Sequence, residues 1–305
     1  AKPHRSHPRL CTTMAWERLT YVLQSHLRWP PMLIARNLVY VHMPKTGGTY
    51  VTDVLSRIHQ LIDGDIIRVR ANAYALTYIS RRLRGKRRDL FDLQHRTSQK
   101  QWDPHGTLAQ RPVLARRIPV ITTVRNPYDR YVSQYRYGWW KRLAPDFLSR
   151  WPDLKTKYPH FPDMEFSQFL SFSNDYWRHR KMRIKAAPDI GVQTVHFLYF
   201  YAPLLPFREL SASNDARLAT IARESLQRIT FIDTEALSEE LPKALFAAGY
   251  SEDVLRHVDF GTRVLPEGST RTLEDKWRQY YTPATKSWVR ERESFLFDLF
   301  PAWDD

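Results

Sequence analysis

Apolar and polar positions follow two periods along the chain, and the switches between them predict strands that are each followed by a helix. Residues 38–42, 118–124 and 229–233 are short apolar runs rich in β-branched side chains. Each run precedes a stretch whose apolar side chains recur at helical spacing. In the first of these helices the spaced positions are Val51, Val54, Leu55 and Ile58. Three such units predict an α/β fold, with a parallel sheet flanked by helices.

The rest of the chain predicts one domain with an extension at its start and an insertion in its middle. Residues 14–28 have helical spacing and stop at a Pro-Pro pair, which predicts an N-terminal helical extension over 1–37. No internal repeat or long linker follows, so residues 38–305 are predicted to form a single domain. Residues 144–190 lack a sustained period and predict an irregular insertion with short helices. Further helices are predicted over 74–84, 235–248 and 283–300, and a weak strand over 89–94, ending at His95.

The turn after the first strand has the composition of an anion site. It reads Pro44-Lys45-Thr46-Gly47-Gly48-Thr49 and leads into the first helix. A helix N-terminus presents backbone N–H groups to an anion, glycines permit close approach, and the lysine adds positive charge. The Walker loop of nucleotide triphosphatases places its lysine after the glycines, whereas Lys45 precedes them. The turn therefore predicts a phosphate-like ligand held differently from ATP or GTP.

A second polar motif follows the second strand. It reads Arg125-Asn126-Pro127-Tyr128-Asp129-Arg130-Tyr131-Val132-Ser133. Arg125 lies at the carboxyl end of the strand, where open α/β sheets bind ligands, and Ser133 lies about two turns into the next helix. The guanidinium of Arg125 and the hydroxyl of Ser133 could converge on one phosphate.

Together the two motifs resemble those of sulfotransferases that use 3′-phosphoadenosine 5′-phosphosulfate (PAPS), in particular the carbohydrate O-sulfotransferase-like branch. That family carries P-K-[TS]-G-[TG]-[TS] after one strand and R-[ND]-P-x-x-R-x-x-S after another. The resemblance implies a P-loop-like fold and PAPS as donor, with adenosine 3′,5′-bisphosphate as product and no metal. It implies that the 5′-phosphosulfate is held by Lys45, Thr46, Gly47, Gly48, Thr49 and Tyr50. It implies that Arg125 and Ser133 hold the 3′-phosphate.

Sulfuryl transfer to a hydroxyl requires charge stabilisation and a base. Lys45 and the loop N–H groups are suited to stabilise charge on the leaving phosphate, so Lys45 is a candidate catalytic residue. Histidine is the natural base near neutral pH, and His95 is the candidate because it follows a predicted strand between the two motifs. A carboxylate such as Asp92 is the alternative base. His42, just before the turn, is expected to be structural.

Composition bears on the ligand through the net charge and on the cellular compartment through the cysteine count. The 305 residues carry a net charge of +15, and 35 of the 47 basic residues are arginine, the side chain suited to bidentate contact with phosphate or sulfate. Cys11 is the only cysteine, which excludes an internal disulfide and favours a cytoplasmic location over a fragment from the Golgi lumen. No apolar run reaches the length of about 18 residues expected of a membrane span, and the first residues lack the core of a signal peptide.

Three functional classes compete for these features. A nucleotide kinase or GTPase would need a lysine after the glycines. A polyanion-binding module, for nucleic acid or a heparin-like chain, would account for the charge but leave both motifs unexplained, so no nucleic-acid partner is expected. For a sulfotransferase the expected acceptor is a glycan, with a small-molecule or lipid alcohol as the alternative. The basic runs 81–88 and 178–185 are either solvated faces or the walls of an acceptor groove, and Trp139 and Trp140 either stack on sugars or fill core.

Overall fold

A computed structural model of the chain describes residues 32–70, 73–85, 88–96, 102–103, 106–179, 189–202, 224, 226–262 and 277–304. The strands are β1 (Met32–Ile34), β2 (Val39–Val41), β3 (Ile66–Arg70), β4 (Leu90–Arg96), β5 (Trp102–Asp103), β6 (Val120–Val124) and β7 (Ile229–Asp233). The helices are α1 (Gly48–Leu61), α2 (Ala73–Arg84), α3 (Pro127–Tyr137), α4 (Trp139–Arg142), α5 (Ala144–Arg150), α6 (Leu154–Lys157), α7 (Phe166–His179), α8 (Val192–Tyr201), α9 (Leu237–Ala247), α10 (Glu252–Arg256), α11 (Pro283–Arg292) and α12 (Ser294–Leu299). Short 3-10 turns lie at Leu108–Gln110, Val113–Arg117, Trp277–Tyr280 and Pro301–Trp303.

Six strands form the main sheet in the order β3-β4-β1-β2-β6-β7, and β5 pairs with the end of β4. β2, β6 and β7 are mutually parallel, as are β3 and β4. β1 is antiparallel to both of its neighbours, β2 and β4, so it joins the two parallel groups without reversing them. The carboxyl ends of β2, β4, β6 and β7 therefore share one edge of the sheet.

Helices cover both faces of the sheet. Successive side chains of a strand point to opposite faces, so a strand that is buried along its whole length needs packing partners on both faces. In β2, Val39 and Val41 pack into one apolar cluster with α3, α7, α8 and α12. Tyr40, between them, packs into the other cluster with α1, α9 and α10. The predicted α/β fold is confirmed, and the site elements α1 and α3 lie on opposite faces of the sheet.

Some elements differ from the sequence prediction. The sheet begins at Met32, before the predicted domain start at residue 38, and β1 and β3 were not predicted. The predicted irregular insertion contains a regular helix of 14 residues, α7. The predicted C-terminal helix is divided at Glu293 into α11 and α12. The predicted helix over 14–28 and much of the second basic run lie outside the described residues, and the domain division remains a prediction.

Candidate active site

Two residues of the turn between β2 and α1 have a left-handed backbone conformation. Lys45 has φ 70° and Gly47 has φ 83°, both in the left-handed region. Gly47 is the N-cap of α1, and no side chain caps the helix. Because the first N–H groups of a helix have no partner within it, those of Gly48 to Tyr50 are left for another acceptor. The turn thus has the backbone arrangement of an anion site.

Gly47 and Gly48 each lie where a side chain would collide with a neighbour, and the neighbour differs between them. Besides its positive φ, Gly47 has no space for a side chain, because a Cβ there would lie 2.8 Å from Cδ2 of Leu237. A Cβ on Gly48 would overlap the imidazole ring of His42. His42 is only 3% exposed, in keeping with the structural role expected for it.

Two side chains expected at the anion are directed into the protein. The hydroxyl of Thr46 donates to the carbonyl of Met43 at 2.7 Å and lies 3.0 Å from the hydroxyl of Thr123. The hydroxyl of Tyr50 donates to the carbonyl of Phe260 at 2.7 Å. Thr46 and Tyr50 therefore anchor the turn through their side chains, and their remaining groups for a ligand are backbone N–H groups.

Arg125 connects the two motifs. It follows β6, and Asn126 caps α3 by accepting a hydrogen bond from the N–H of Tyr128 at 2.9 Å. The guanidinium of Arg125 donates through Nη1 to the carbonyl of Lys45 at 3.2 Å and through Nε to Asp129 at 2.5 Å. The second motif is therefore in direct contact with the first.

Arg130 supports the turn from beneath, a role that the sequence analysis did not assign. Its side chain is buried, and its Nε donates to the carbonyl of Pro44 at 3.0 Å. Its other nitrogens contact Oε1 of Gln193 and, at 3.3 Å, Nδ1 of His196. Burial lowers the pKa of Arg130 to about 10, so the guanidinium stays charged at neutral pH. Because two arginines bind the consecutive carbonyls of Pro44 and Lys45, the turn is held from its carbonyl side.

The Lys45 ammonium lies within a group of positive charges. It is 4.1 Å from the ring centroid of Tyr137, at the end of α3, and Cζ of Arg142 is 4.1 Å from the same centroid. Burial, followed by the charges of Arg125, Arg142 and Arg130, lowers the pKa of Lys45 to about 7. Within the described parts of the chain, Lys45 forms no salt bridge, whereas Arg125 is paired with Asp129. Such a group attracts an anion.

The other predicted site residues lie on the same edge of the sheet. Ser133 is half-buried on α3, four residues before Tyr137 and therefore on the same helical face. Leu33 of β1 is paired with both Tyr40 and Asp92, so His95, three residues after Asp92, is level with Met43. The backbone of His95 thus lies two strands, about 10 Å, from the start of the turn.

Three other residues that the sequence left as candidates make contacts within the fold. They are Asp92 for the base, Trp140 for sugar stacking and Arg82 for an acceptor groove. Asp92 lies within β4, three residues before His95, and pairs with Arg68 at 3.1 Å, while burial raises its pKa. Trp140 is fully buried, and its indole donates to the carbonyl of Pro162 at 2.7 Å. In the first basic run, Arg82 pairs with the buried Asp89 at 2.7 Å. Asp92 is therefore badly placed for a base, and Trp140 fills core.

Neither a metal site nor a membrane span is found in the part of the chain that the structure describes. No group of three His, Cys, Asp or Glu residues there is arranged to hold a metal ion. No described helix is both long enough and apolar enough to cross a bilayer.

Comparisons with known proteins place the chain in a family. No curated protein matches it. Among solved structures it is similar to mouse sulfotransferase SULT7A1 complexed with PAP, with 15% identity over 89% of this chain and 86% of that chain and a TM-score of 0.38. The sequence model of the sulfotransferase family matches residues 34–200, which include both motifs. Because that match covers more than half of the chain, the chain belongs to the sulfotransferase family, as its two motifs predict.

Proposed function

We propose that this sulfotransferase moves the sulfuryl group of PAPS to a hydroxyl of a glycan. The observation that carries the donor part of the proposal is the Lys45 ammonium, which lies among three guanidiniums and forms no salt bridge with a described carboxylate. A half-buried cation surrounded by other positive charges is costly without a counter-ion, and the uncapped start of α1 adds N–H donors at the same place. The residues present therefore suit a phosphosulfate group.

Each side chain has a proposed part in binding. Lys45 and the N–H groups of Gly47 to Thr49 hold the 5′-phosphosulfate and stabilise charge on the leaving phosphate. Arg125 and Ser133 hold the 3′-phosphate. The Nε and Nη1 atoms of Arg125 are used within the protein, so Nη2 is the guanidinium nitrogen left for a ligand as far as the described contacts extend. Bound PAPS supplies the sulfuryl group, and adenosine 3′,5′-bisphosphate is the product.

His95 is proposed as the base that takes the proton of the acceptor hydroxyl. Its backbone position at the carboxyl end of β4, level with Met43, supports this assignment. Replacing His95 by Ala is expected to abolish turnover while the affinity for adenosine 3′,5′-bisphosphate is kept. Turnover that survives in the variant would exclude His95 as the base.

The acceptor proposed is a glycan, and the net charge of +15 favours one that carries negative groups. A small-molecule or lipid alcohol is the alternative acceptor. Transfer of labelled sulfate onto a panel of glycans, small alcohols and lipid alcohols distinguishes them, because only the preferred class should give saturable transfer.

Calorimetry with adenosine 3′,5′-bisphosphate and with ATP, both without metal, tests the donor site. We expect tight binding of the bisphosphate alone, weakened at least about thirtyfold in Lys45→Ala and in Arg125→Ala. Lys141→Ala is the matched control, because Lys141 is a nearby exposed lysine paired with Asp163 at 2.8 Å. A wild-type protein that binds long polyanions but not the bisphosphate would instead be a binding module without catalysis.

A further inference from the structure

Two cationic side chains lie against one aromatic ring next to the turn. Nζ of Lys45 and Cζ of Arg142 each lie 4.1 Å from the ring centroid of Tyr137. Tyr137 ends α3 and Arg142 ends α4, and Gly138 between the two helices has φ 61°. The left-handed glycine lets α4 begin directly after α3, which brings Arg142 back to the Tyr137 ring.

We propose, on the basis of the function above, that Tyr137 is a positioning residue for Lys45 and that Arg142 is a further anion-binding residue of the donor site. The ring of Tyr137 holds the Lys45 ammonium at the turn, and Arg142 adds a second positive charge to the same anion site. A lysine ammonium ends a flexible stem of four carbons, and a ring quadrupole within about 6 Å attracts it. The ring thus limits the positions that the ammonium samples before the donor binds.

Arg142 differs from the other arginines near Lys45 in what it contacts. Arg125 is paired with Asp129, and Arg130 is buried with its nitrogens on Pro44 and Gln193. Arg142 is exposed, and its described contacts are all with Tyr137: it lies over the ring, hydrogen-bonds to the side chain, and reaches the backbone carbonyl through Nη2 at 3.5 Å. Among the described residues it forms no salt bridge, so it is the guanidinium with donors to spare for a bound anion.

The arrangement makes binding depend on pH. The groups that face Lys45 are Arg125 from the end of β6, Arg130 and Tyr137 from α3, and Arg142 from α4. Arginine side chains do not titrate in the neutral range, and burial raises the pKa of Tyr137, so Tyr137 stays neutral. Lys45 attracts the anion only while protonated, so affinity should fall as pH rises past its pKa of about 7. Removal of the Arg142 charge should move that fall to higher pH.

The test is calorimetric titration with adenosine 3′,5′-bisphosphate at pH 6, 7 and 8.5. We expect Arg142→Gln to bind about tenfold more weakly at pH 6, and the deficit to shrink at pH 8.5. Tyr137→Leu should bind roughly threefold to thirtyfold more weakly, and Tyr137→Phe, which keeps the ring, should recover most of that loss. Arg150→Gln, at an exposed arginine paired with Asp146, is the control for net charge.

The outcomes separate the two proposals. Wild-type affinity and wild-type pH dependence in both Arg142→Gln and Tyr137→Leu, together with lost binding in Lys45→Ala, would overturn the positioning role and leave the donor site standing. Equal weakening by Tyr137→Phe and Tyr137→Leu would show that the ring does not hold the ammonium. A wild-type protein that fails to bind the bisphosphate would overturn both proposals. Thermal unfolding of each variant shows that it is folded.

Discussion

Lys45 is held in a state that is unfavourable for the ligand-free protein. Its backbone has φ 70°, a conformation that costs a non-glycine residue about 1–2 kcal/mol. Its pKa of about 7 means that the surroundings disfavour the ammonium form. Such a residue is retained where a bound anion compensates for it, and its removal should therefore stabilise the empty protein.

Lys45→Met should raise the melting temperature of the ligand-free protein by about 2–4 °C at pH 6. The folded pKa is lowered, so the unfolded chain binds more protons than the folded one between pH 7 and 10.5. The gain should be complete below pH 7 and should shrink as pH rises toward 10.5. Thermal unfolding at several pH values measures it, and Lys141→Met, at an exposed paired lysine, should show no gain. A Lys45→Met variant less stable than wild type at pH 6 would mean that the ammonium is already compensated.

Gly48→Ala should destabilise the fold by about 1–3 kcal/mol, because its Cβ would overlap the ring of His42. Urea unfolding gives the free energy of unfolding. In a His42→Ala background the ring is absent, so the same substitution should cost much less. An equal cost in both backgrounds would mean that the overlap is not the reason for the glycine.

The residues at the turn divide into those that sequence could identify and those that it could not. Lys45, Gly47 and Gly48 are close together in the chain and follow an apolar run, so the motif itself points to them. Arg130 stands in the second motif, but its contact with the turn, like that of Tyr137, depends on the rotation of α3 and therefore on packing across the sheet. The inward direction of the Thr46 hydroxyl likewise depends on a different strand, where its partner hydroxyl lies.

At the scale of elements, β2, β6 and β7 were predicted from apolar runs between turn signals, and β4 from a weak strand pattern over 89–94. The two motifs follow β2 and β6. β1 has three residues, too few for a period, and is a strand because Leu33 pairs with Tyr40 on one side and Asp92 on the other. β3 lies at the sheet edge, and Arg68 and Arg70 interrupt its apolar residues Ile66, Ile67 and Val69, so it has no continuous apolar run.

Glu293, at the junction of α11 and α12, is hydrogen-bonded to both α3 and α8. Its buried carboxyl accepts hydrogen bonds from the hydroxyls of Tyr131 and Thr194 and from the N–H groups of Gln193 and Thr194, at 2.6–3.0 Å. Burial raises the pKa of Glu293, and these donors oppose the rise. The carboxyl caps the start of α8, and Gln193 in turn contacts Arg130 beneath the turn.

Glu293→Gln should therefore lower the free energy of unfolding by about 1–3 kcal/mol. The substitution replaces one accepting carboxylate oxygen by an amide NH₂ group, which would face hydrogen-bond donors and could not accept from them. Urea unfolding measures the change. Glu291→Gln, at a carboxylate two residues away on α11, should stay within about 0.5 kcal/mol of wild type. Equal stability of the two variants would contradict the capping role.

At the scale of the whole molecule, the charge of +15 is not simply a binding surface. Arg130 is buried beneath the turn, and Arg82 pairs with Asp89 and Asp65 between α2 and the sheet. Part of the arginine content therefore stabilises the fold. Composition could not distinguish these arginines from those at the site, because the distinction depends on which carboxylates and carbonyls the fold brings near them.

The segment Pro301–Trp303 closes the carboxyl edge of the sheet beside the site. The indole of Trp303 donates to Asp233 at the end of β7, and its carbonyl accepts from the amide of Asn126 at 3.2 Å. Trp303 is 7% exposed and packs on Phe300 with ring centroids 4.3 Å apart. The segment thus connects β7 to the residue that directly follows Arg125.

Trp303→Ala should lower the free energy of unfolding by about 3–5 kcal/mol and weaken bisphosphate binding, because the indole contacts with Asp233 and Phe300 that hold the backbone carbonyl against Asn126 are lost. Trp303→Phe keeps an aromatic ring but removes the indole donor to Oδ2 of Asp233, so a smaller loss of about 1–3 kcal/mol is expected. Urea unfolding and calorimetry measure the two effects, with Phe246→Ala, at a side chain that is 60% exposed, as the control. If Trp303→Ala unfolds more easily but binds the bisphosphate as wild type does, the segment stabilises the fold without shaping the site. A loss of affinity larger in Trp303→Ala than in Trp303→Phe, measured where both variants are folded, would instead connect this edge of the molecule to the anion site.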